Sequence, residues 1–227
     1  DKTIDINILK DGKKAIRINK IKASKIGELF GNFNVVMFSP EDLRIIKDSP
    51  GVRRKFIDME LCQLNSRYYY NLVQYNKVLN ERNILLKKRK VDKDVLDIYD
   101  IQLSNFGFNI IKERLNYINK LNYYGKNIHN DISSGKEDVE FKYISTVRDL
   151  ENIEGCFYEQ LKKNRNKDIE KGLTSIGPHR DDFIVLINGI DTKSYGSQGQ
   201  QRSAVLTMKF SSLKIIKELT SEYPVLL

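Results

Sequence analysis

A serine and a glycine near the end of the chain have the types and spacing that suit the binding of an anion. They belong to residues 195–202, with the sequence YGSQGQQR, and apolar residues recur at helical spacing over 204–219. Ser197, Gly199 and Gln200 are therefore predicted at a helix N-terminus, where unpaired amides and the positive end of the helix dipole favour negative charge. The pattern predicts a site for a terminal phosphate. The alternative is an ordinary serine N-cap on a core-facing helix.

The other half of a nucleotide site, a phosphate-cradling P-loop, does not occur in these 227 residues. Such a loop requires the pattern Gly-x-x-x-x-Gly-Lys-Ser/Thr. The Gly-Lys pairs that begin at Gly12, Gly125 and Gly135 lack both the hydroxyl residue and the upstream glycine. An apolar stretch at 223–227 predicts a strand after the helix at 204–219. In a nucleotide-binding sheet such a strand would next deliver the acidic pair that handles Mg²⁺.

Short elements are predicted outside the middle of the chain. Isoleucines alternate with polar residues at 4–8 and 16–18 around a turn at Asp11-Gly12, which indicates a β-hairpin. Further short elements are a helix at 23–30 and strands at 34–38, 139–143 and 182–187. Pro40 and Pro50 each follow a serine that can act as an N-cap, so each predicts the start of a helix.

Two long helices and a third helix are predicted in the middle of the chain. No proline occurs at 52–90, where apolar residues recur at close to heptad spacing, and a charged connector follows at 87–94. Apolar residues on two seams predict the second long helix through 96–118, and a third helix is predicted at 150–171. The short connector predicts an antiparallel hairpin. The wide apolar face of the second helix favours a globular bundle over an extended coiled coil.

Four stretches occur in an order that resembles one known family. They are FSPEDL at 38–43, SPGVRRKFID at 49–58, YNKVLNERNILLK at 75–87 and GPHRDDF at 177–183. These motifs resemble those of the RecF family, bacterial recombination-mediator ATPases of the ABC/SMC-like class. The resemblance covers nearly the whole chain, with 1–26 the least distinctive part.

The resemblance implies an α+β fold. A helical arm domain, made of a long antiparallel helix pair and a third helix, would be inserted in a partial ABC-type P-loop ATPase head with short β-strands. Residues 1–40 would end the first ATPase lobe with the β-hairpin and a short strand, 41–175 would form the arm, and 176–227 would start the second lobe with the signature motif. The family's P-loop is expected before residue 1, and its Mg²⁺-binding acidic pair just after residue 227.

The resemblance also implies a function in DNA repair and replication. A protein of this kind would bind ATP and Mg²⁺, dimerise around ATP, and clamp DNA at single-strand gaps and junctions. It would act with RecO and RecR to promote RecA loading in recombinational repair and the SOS response. By the same resemblance, Ser197, Gly199 and Gln200 would cap the γ-phosphate of ATP held by the partner subunit.

The chain by itself is expected neither to hydrolyse ATP nor to bind a cofactor tightly, since it has no P-loop and no acidic pair for Mg²⁺. The alternative to an ATPase head is a non-catalytic helical docking module for DNA or partner proteins.

A basic surplus gives the chain a formal net charge of +9, from 39 Lys and Arg against 30 Asp and Glu. Such a surplus favours a polyanionic partner, with biased composition as the alternative. Two basic clusters are candidate DNA contacts: Arg53, Arg54 and Lys55 in the first long helix, and Lys87, Lys88, Arg89 and Lys90 in the connector. The alternatives are ion pairing with an acid such as Asp58 or Glu41 for the first cluster, and a solvated connector for the second.

The histidines and a pair of aspartates give weaker signals. His179 stands in a turn before a strand, and it is predicted to be a hydrogen-bonded structural side chain, with a catalytic base as the alternative. His129 is assigned to a polar loop. Asp181 and Asp182 precede their strand rather than end it, so we exclude them as the Mg²⁺ pair.

The cysteines and the apolar runs argue against a disulfide-stabilised secreted protein and against a membrane-spanning protein. Cys62 and Cys156 are isolated, with no second cysteine or histidine at metal-ligand spacing, which predicts small buried side chains in a reducing compartment. Neither a signal-peptide pattern nor an apolar run of about 18 residues is found. The expected location is the cytoplasm, without a membrane partner.

Overall fold

The computed structural model describes residues 3–8, 10, 12, 14–23 and 26–227 of the chain. In these residues the α-helices are α1 (Arg44–Lys47), α2 (Pro50–Leu64), α3 (Ser66–Leu86), α4 (Lys93–Ser133), α5 (Ile153–Lys171), α6 (Thr192–Tyr195) and α7 (Gln198–Thr220). The strands are β1 (Ile4–Ile8), β2 (Lys14–Ile18), β3 (Ile21–Lys22), β4 (Val35–Val36), β5 (Val139–Ile144), β6 (Asp182–Ile187), β7 (Ile190–Asp191) and β8 (Val225–Leu226). Among the described residues, none of the helices has the length and apolar character needed to cross a membrane.

The predicted β-hairpin is confirmed by β1 and β2, which pair antiparallel and are extended by β3 into a three-stranded sheet. Asp11, part of the predicted turn, lies outside the described residues. The helix predicted at 23–30 is a 3₁₀ helix over Ile26–Leu29, and residues 24 and 25 lie outside the described residues.

Both serine–proline pairs start helical segments, as predicted. Pro40 opens a 3₁₀ helix over Pro40–Leu43, where Ser39 and Asp42 form a capping box. Pro50 opens α2, although the side chain of Ser49 makes no capping hydrogen bond there.

The single long helix predicted at 52–90 is wrong, because the structure divides this stretch into α2 and α3 at Asn65. Asn65 has an extended backbone, with φ −143° and ψ 103°. Its Oδ1 accepts hydrogen bonds from the amides of Arg67 and Tyr68, at 2.9 and 3.2 Å. Asparagine at an N-cap satisfies amides that the helix leaves unpaired. The heptad-like apolar spacing continues across this cap, which is why the spacing does not reveal it.

The predicted antiparallel helix hairpin is confirmed by α3 and α4. Arg82 pairs with Asp100 at 2.7 Å, and seven residues further from the connector the ring of Tyr75 lies against Gly107. Another seven residues on, Nε of Arg114 donates to the hydroxyl of Tyr68 at 3.1 Å. The contacts advance by a heptad down one helix and up the other, so the two helices run antiparallel in a fixed register.

A third helix, α5, closes the arm into a bundle, as the wide apolar face of α4 predicts. Phe157 on α5 is fully buried, and a Cβ at Gly107 of α4 would lie 2.4 Å from its ring. Arg165 on α5 forms an ion pair with Asp100 of α4 at 2.6 Å. We refer to α3, α4 and α5 as the arm.

A small sheet joins the arm to the last part of the chain. β5 pairs antiparallel with β6 along its full length, and β7 continues the sheet beyond β6. Phe141 and Phe183 from this sheet belong to the same buried core as α4 and α7. The pairing crosses the predicted boundary between residues 175 and 176, and the division into three domains stays a prediction.

A two-stranded sheet brings residues 35–36 beside residues 225–226. β4 pairs with β8 in parallel, with Val35 opposite Val225. The amide of Phe38 donates to the carbonyl oxygen of Leu227 at 2.8 Å. Lys209 of α7 lies beside this sheet and donates to the carbonyl oxygen of Met37 at 3.0 Å. Residues 35–38 and 225–227 therefore pack together beside α7.

Candidate functional site

The loop between α6 and α7 presents Ser197 at the start of α7. A Cβ at Gly196 would lie 2.5 Å from the carbonyl oxygen of Thr192, so this close approach requires glycine. The buried side chain of Gln201 donates to the carbonyl oxygens of Thr192 and Gly196, at 3.2 and 3.4 Å. Ser197 and Gly199 are exposed. We call residues 195–200 the capping loop.

Ser197 and Gln200 form a reciprocal capping box at the start of α7. The amide of Gln200 donates to Oγ of Ser197 at 3.1 Å, and the amide of Ser197 donates to Oε1 of Gln200 at 2.9 Å. The N-cap interpretation is thus correct as a description of the local structure. It uses the serine oxygen only as an acceptor, and no bond donated by this hydroxyl is found among the described residues.

The remaining donors at this helix end fit a terminal phosphate. The amides of Gln198 and Gly199 lie in the first turn of α7, where no preceding carbonyl is available inside the helix. Together with the Ser197 hydroxyl they provide three donors on an exposed surface at the positive end of the helix dipole. The N-cap and phosphate interpretations are therefore compatible in this geometry.

The capping loop is also bonded to residues that the sequence analysis did not single out. Nε2 of Gln200 donates to Oε1 of Glu137 at 2.9 Å. Oε2 of Glu137 lies 3.4 Å from Nε2 of His129. Nδ1 of His129, which is fully buried, lies 2.8 Å from Oγ1 of Thr207 on α7. A continuous set of polar contacts thus connects the end of α4 with the capping loop.

The assignment of His129 to a polar loop is wrong, because α4 continues to Ser133. His129 lies four residues after Gly125 and eight after Leu121, and both of those are buried on the same face of α4. This spacing is the signal in the sequence that places His129 on the buried face.

The prediction that Arg53 of the first basic cluster contacts DNA is corrected by the structure. Its side chain is buried, with Nε and Nη2 bonded to Asp182 at 2.6 and 2.8 Å and Nη1 bonded to backbone carbonyls. Arg53 is therefore withdrawn as a candidate DNA contact, because its guanidinium already has partners in the interior. The acidic partner of Arg53 is Asp182, whereas Asp58 and Glu41 were the partners suggested by the sequence. Asp58 instead pairs with Arg114 at 2.8 Å.

Arg54 and Lys55 remain accessible. Nη1 of Arg54 donates to the carbonyl oxygen of Asp181 at 2.7 Å, and burial together with the nearby Arg114 lowers the pKa of Arg54. Lys55 is exposed. Both side chains line a cavity of about 400 Å³ at the base of the arm, so phosphate contact stays a prediction for these two residues.

His179 has the structural environment that we predicted. Nδ1 lies 2.7 Å from the hydroxyl of Tyr75, and Nε2 lies 3.1 Å from the carbonyl oxygen of Thr174. Burial lowers the pKa of His179 to about 4, so the imidazole is neutral at pH 7. A carbonyl only accepts, hence Nε2 carries the proton and Nδ1 accepts from Tyr75. Both ring nitrogens are used inside the fold.

The two aspartates that follow Arg180 bond to β5, to the loop after β5 and to α2. Asp181 accepts from the amide and the hydroxyl of Thr146, both at 2.7 Å, and from the hydroxyl of Tyr143, also at 2.7 Å. Asp182 is occupied by Arg53. No group of His, Cys, Asp and Glu suited to a metal ion is found within the described part of the chain.

The two cysteines are free thiols. Cys62 is buried and Cys156 is half-buried. Burial raises the pKa of the Cys62 thiol to about 12, so it is an unreactive apolar side chain at neutral pH.

The second basic cluster lies in the connector between α3 and α4. Lys87, Lys88, Arg89 and Lys90 are all exposed. We call residues 87–90 the arm tip. It is separated from the capping loop by most of α4, a helix of 41 residues, whose length is about 60 Å at 1.5 Å per residue.

Comparison with curated proteins finds close relatives along the whole chain, although no model of a known protein family matches it. The chain is 69% identical over 227 residues to a protein of Clostridium perfringens (strain SM101 / Type A) described as "DNA replication and repair protein RecF". It is 66% identical over 227 residues to a protein of the same description from Clostridium botulinum (strain Alaska E43 / Type E3). It covers 63% of the length of each of these two relatives.

Solved structures give the same result. One is described as "Structure of the recombination mediator protein RecF-ATP in RecFOR pathway", with a TM-score of 0.91 and 39% sequence identity. A second, of RecF-ATPrS, has a TM-score of 0.90. Each match covers 99% of this chain and 62% of the other. The helical arm and short strands thus form part of an ABC-type ATPase fold, and the chain is similar along its whole length to part of the RecF proteins.

Proposed function

We propose that this chain is the central part of a longer DNA repair protein that dimerises around ATP and binds DNA in recombinational repair. The proposal draws on the relatives, which are described as DNA replication and repair proteins and are longer than this chain. It also draws on the RecF-ATP structure, which shares the fold at 39% identity. We call the longer protein the full-length protein.

The observation that carries the proposal is the set of three exposed donors at the start of α7. Within the described part of the chain, the Ser197 hydroxyl and the amides of Gln198 and Gly199 donate no hydrogen bond, while the bonds of Gln200 and Gln201 fix the conformation of the capping loop. ATP bound to a partner subunit would supply a terminal phosphate. Donors already fixed in position bind such charge without the cost of reorganisation.

The role of this chain is thus to cap a nucleotide that another subunit holds. Ser197, Gly199 and Gln200 act in this capping, with Gln200 orienting the serine through the capping box. Mg²⁺ and the P-loop would belong to segments of the full-length protein that this chain does not include. We therefore expect the chain alone neither to hydrolyse ATP nor to bind it tightly.

DNA, RecO and RecR are the proposed partners of the full-length protein in the cytoplasm. The net charge of +9 supports a phosphate-rich partner. Arg54 and Lys55 near the head and the arm tip are the candidate contacts. The second candidate function, a docking module without ATP control, is favoured only by the exposed charges of the arm tip, which lie far from the capping loop.

The proposed function is tested with Ser197→Arg in the full-length protein. Ser66→Arg is a matched control, since Ser66 is exposed at the first position of α3. The bulk and charge of arginine at position 197 should block the approach of a partner's nucleotide. We expect ATP binding by single subunits to stay within about twofold and ATP-dependent dimerisation to weaken by more than about tenfold. Fluorescent nucleotide titration and analytical ultracentrifugation measure the two quantities.

The control variant should dimerise with ATP like the wild type. Dimers that form equally well with Ser197→Arg would refute the capping role. A protein that binds DNA equally with and without ATP would favour the docking module instead.

A further inference from the structure

We propose that Glu137 is a positioning residue for the capping loop, and that His129 holds Glu137 in place from the arm helix α4. The proposal rests on the proposed function and extends it to residues outside the signature motif. Its physical basis is the set of contacts that runs from His129 through Glu137 to Gln200 and Ser197.

The first step is the contact between Glu137 and Gln200. Gln200 has two polar atoms in its side chain, and both are used: Oε1 accepts from the amide of Ser197, and Nε2 donates to Oε1 of Glu137 at 2.9 Å. A carboxylate acceptor fixes which end of the amide faces Ser197, because only Nε2 can donate to it. Glu137 thereby selects the rotamer that completes the capping box.

The second step is the support of Glu137 by a turn. Ser134 has a left-handed backbone with φ 52°, and Gly135 follows with φ 75°. The amide of Glu137 donates to Oγ of Ser133 at 3.3 Å. The amide of Asp138 donates to Oδ1 of Asn188 at 2.8 Å. These bonds fix the backbone that carries Glu137 between the end of α4 and β5.

The third step is the buried histidine. The hydroxyl of Thr207 donates to the carbonyl oxygen of Ser203 at 2.8 Å, so it accepts from Nδ1 of His129 at 2.8 Å. Nε2 of His129 is buried, has no hydrogen-bond partner among the described residues, and lies 3.4 Å from Oε2 of Glu137. Only a ring that also carries a proton on Nε2 donates to this carboxylate, and the contact is then an ion pair. His129 thus bridges α4 and α7 at the level of the capping loop.

The consequence is a physical connection between the arm and the capping of ATP. α4 begins beside the arm tip and ends at the turn that carries Glu137. A movement of the arm that shifts the C-terminal end of α4 also shifts Glu137, and Gln200 shifts with Glu137. If ATP capping and arm position are coupled in this way, each must change the other by the same factor in equilibrium binding.

Glu137→Ala and Glu137→Gln in the full-length protein test the proposal. The alanine variant removes the acceptor for Gln200, while glutamine keeps an acceptor oxygen of similar reach. We expect Glu137→Ala to weaken ATP-dependent dimerisation about five- to tenfold, with ATP binding by single subunits and the melting temperature unchanged. Glu137→Gln should restore dimerisation to within about twofold of the wild type. Glu140→Ala, three residues away on β5 and exposed, is the control.

A double-mutant cycle separates positioning from general destabilisation. Glu137→Ala and Gln200→Ala should together weaken dimerisation no more than Gln200→Ala alone, because the first acts only through the second. Additive effects would overturn the proposal. Unchanged dimerisation in Glu137→Ala would overturn it too, while loss of dimers in Ser197→Arg would still support the capping role. Unchanged dimers in Ser197→Arg would instead remove the proposed function itself.

Discussion

Arg82 and Asp100 form an ion pair of 2.7 Å in the arm with neither side chain exposed to solvent. Nη1 of Arg82 also bonds Asp168 and Thr174, both at 2.9 Å. We expect Arg82→Leu to reduce the free energy of unfolding by about 3–5 kcal/mol, because buried Asp168 loses its cation and Asp100 keeps only Arg165. Urea unfolding with an unchanged m-value measures the loss.

Arg44→Ala is the comparison for this variant. Arg44 pairs with Asp48 at 2.8 Å, but the pair is exposed, so its removal should leave the midpoint of unfolding within experimental error. Equal effects of the two substitutions would mean that the Arg82 cluster does not hold the arm together.

His179 should make the chain less stable in acid. Its pKa in the folded protein is about 4, below the ordinary 6.5, because of burial. Between these values the unfolded state binds more protons, so stability falls as the pH is lowered from 6.5 to 4. The loss from this group amounts to roughly 3 kcal/mol. His179→Gln, whose amide can serve both Tyr75 and Thr174, should remove this part of the pH dependence.

The measurement is the difference in unfolding free energy between wild type and His179→Gln across this range. Burial raises the pKa of Glu60 to about 7, so this group makes the unfolding free energy fall as the pH rises from 4.5 to 7. The contribution of Glu60 is the same in both proteins and cancels in their difference. Parallel curves for the two proteins would show that His179 is not buried as a neutral side chain.

Local signals in the sequence predict much of this fold, and long-range pairing sets the rest. Alternation and helical spacing predict the hairpin of β1 and β2 and the antiparallel helices of the arm. The cap at Asn65 is missed because the apolar spacing continues across it, although asparagine is preferred at helix starts over helix interiors. The partner of Arg53 is Asp182, 129 residues further along the chain. A local sequence pattern cannot indicate a contact between residues so far apart.

The candidate site was predicted only in part for the same reason. Ser197, Gly199 and Gln200 lie in one motif and are recognised together. Glu137 and His129 reach the capping loop only through the packing of α4 on α7. His129 could have been found from its spacing to Leu121, whereas the contact between Glu137 and Gln200 depends on the turn that follows α4.

The arm tip is expected to contribute a minor part of DNA binding. Log affinity for duplex DNA should fall against log salt with a slope of about −0.9 for each phosphate contact. Reversing all four charges of residues 87–90 to glutamate should remove less than about half of this slope, because we assign the ATP-controlled DNA surface to the heads. Fluorescence anisotropy titrations in the full-length protein at several salt concentrations measure the slope. Loss of most of the slope would place the DNA on the arm tip.

The central claim, that Ser197 caps ATP held by a partner, is tested most directly by mixing two inactive subunits of the full-length protein. One carries Ser197→Arg, and the other carries a substituted P-loop lysine in the segment expected before this chain. Neither should dimerise alone with ATP. A mixture should form dimers with one bound ATP each, because the P-loop of the first and Ser197 of the second make one whole site. A mixture that stays monomeric at concentrations where the wild type dimerises would contradict capping between subunits.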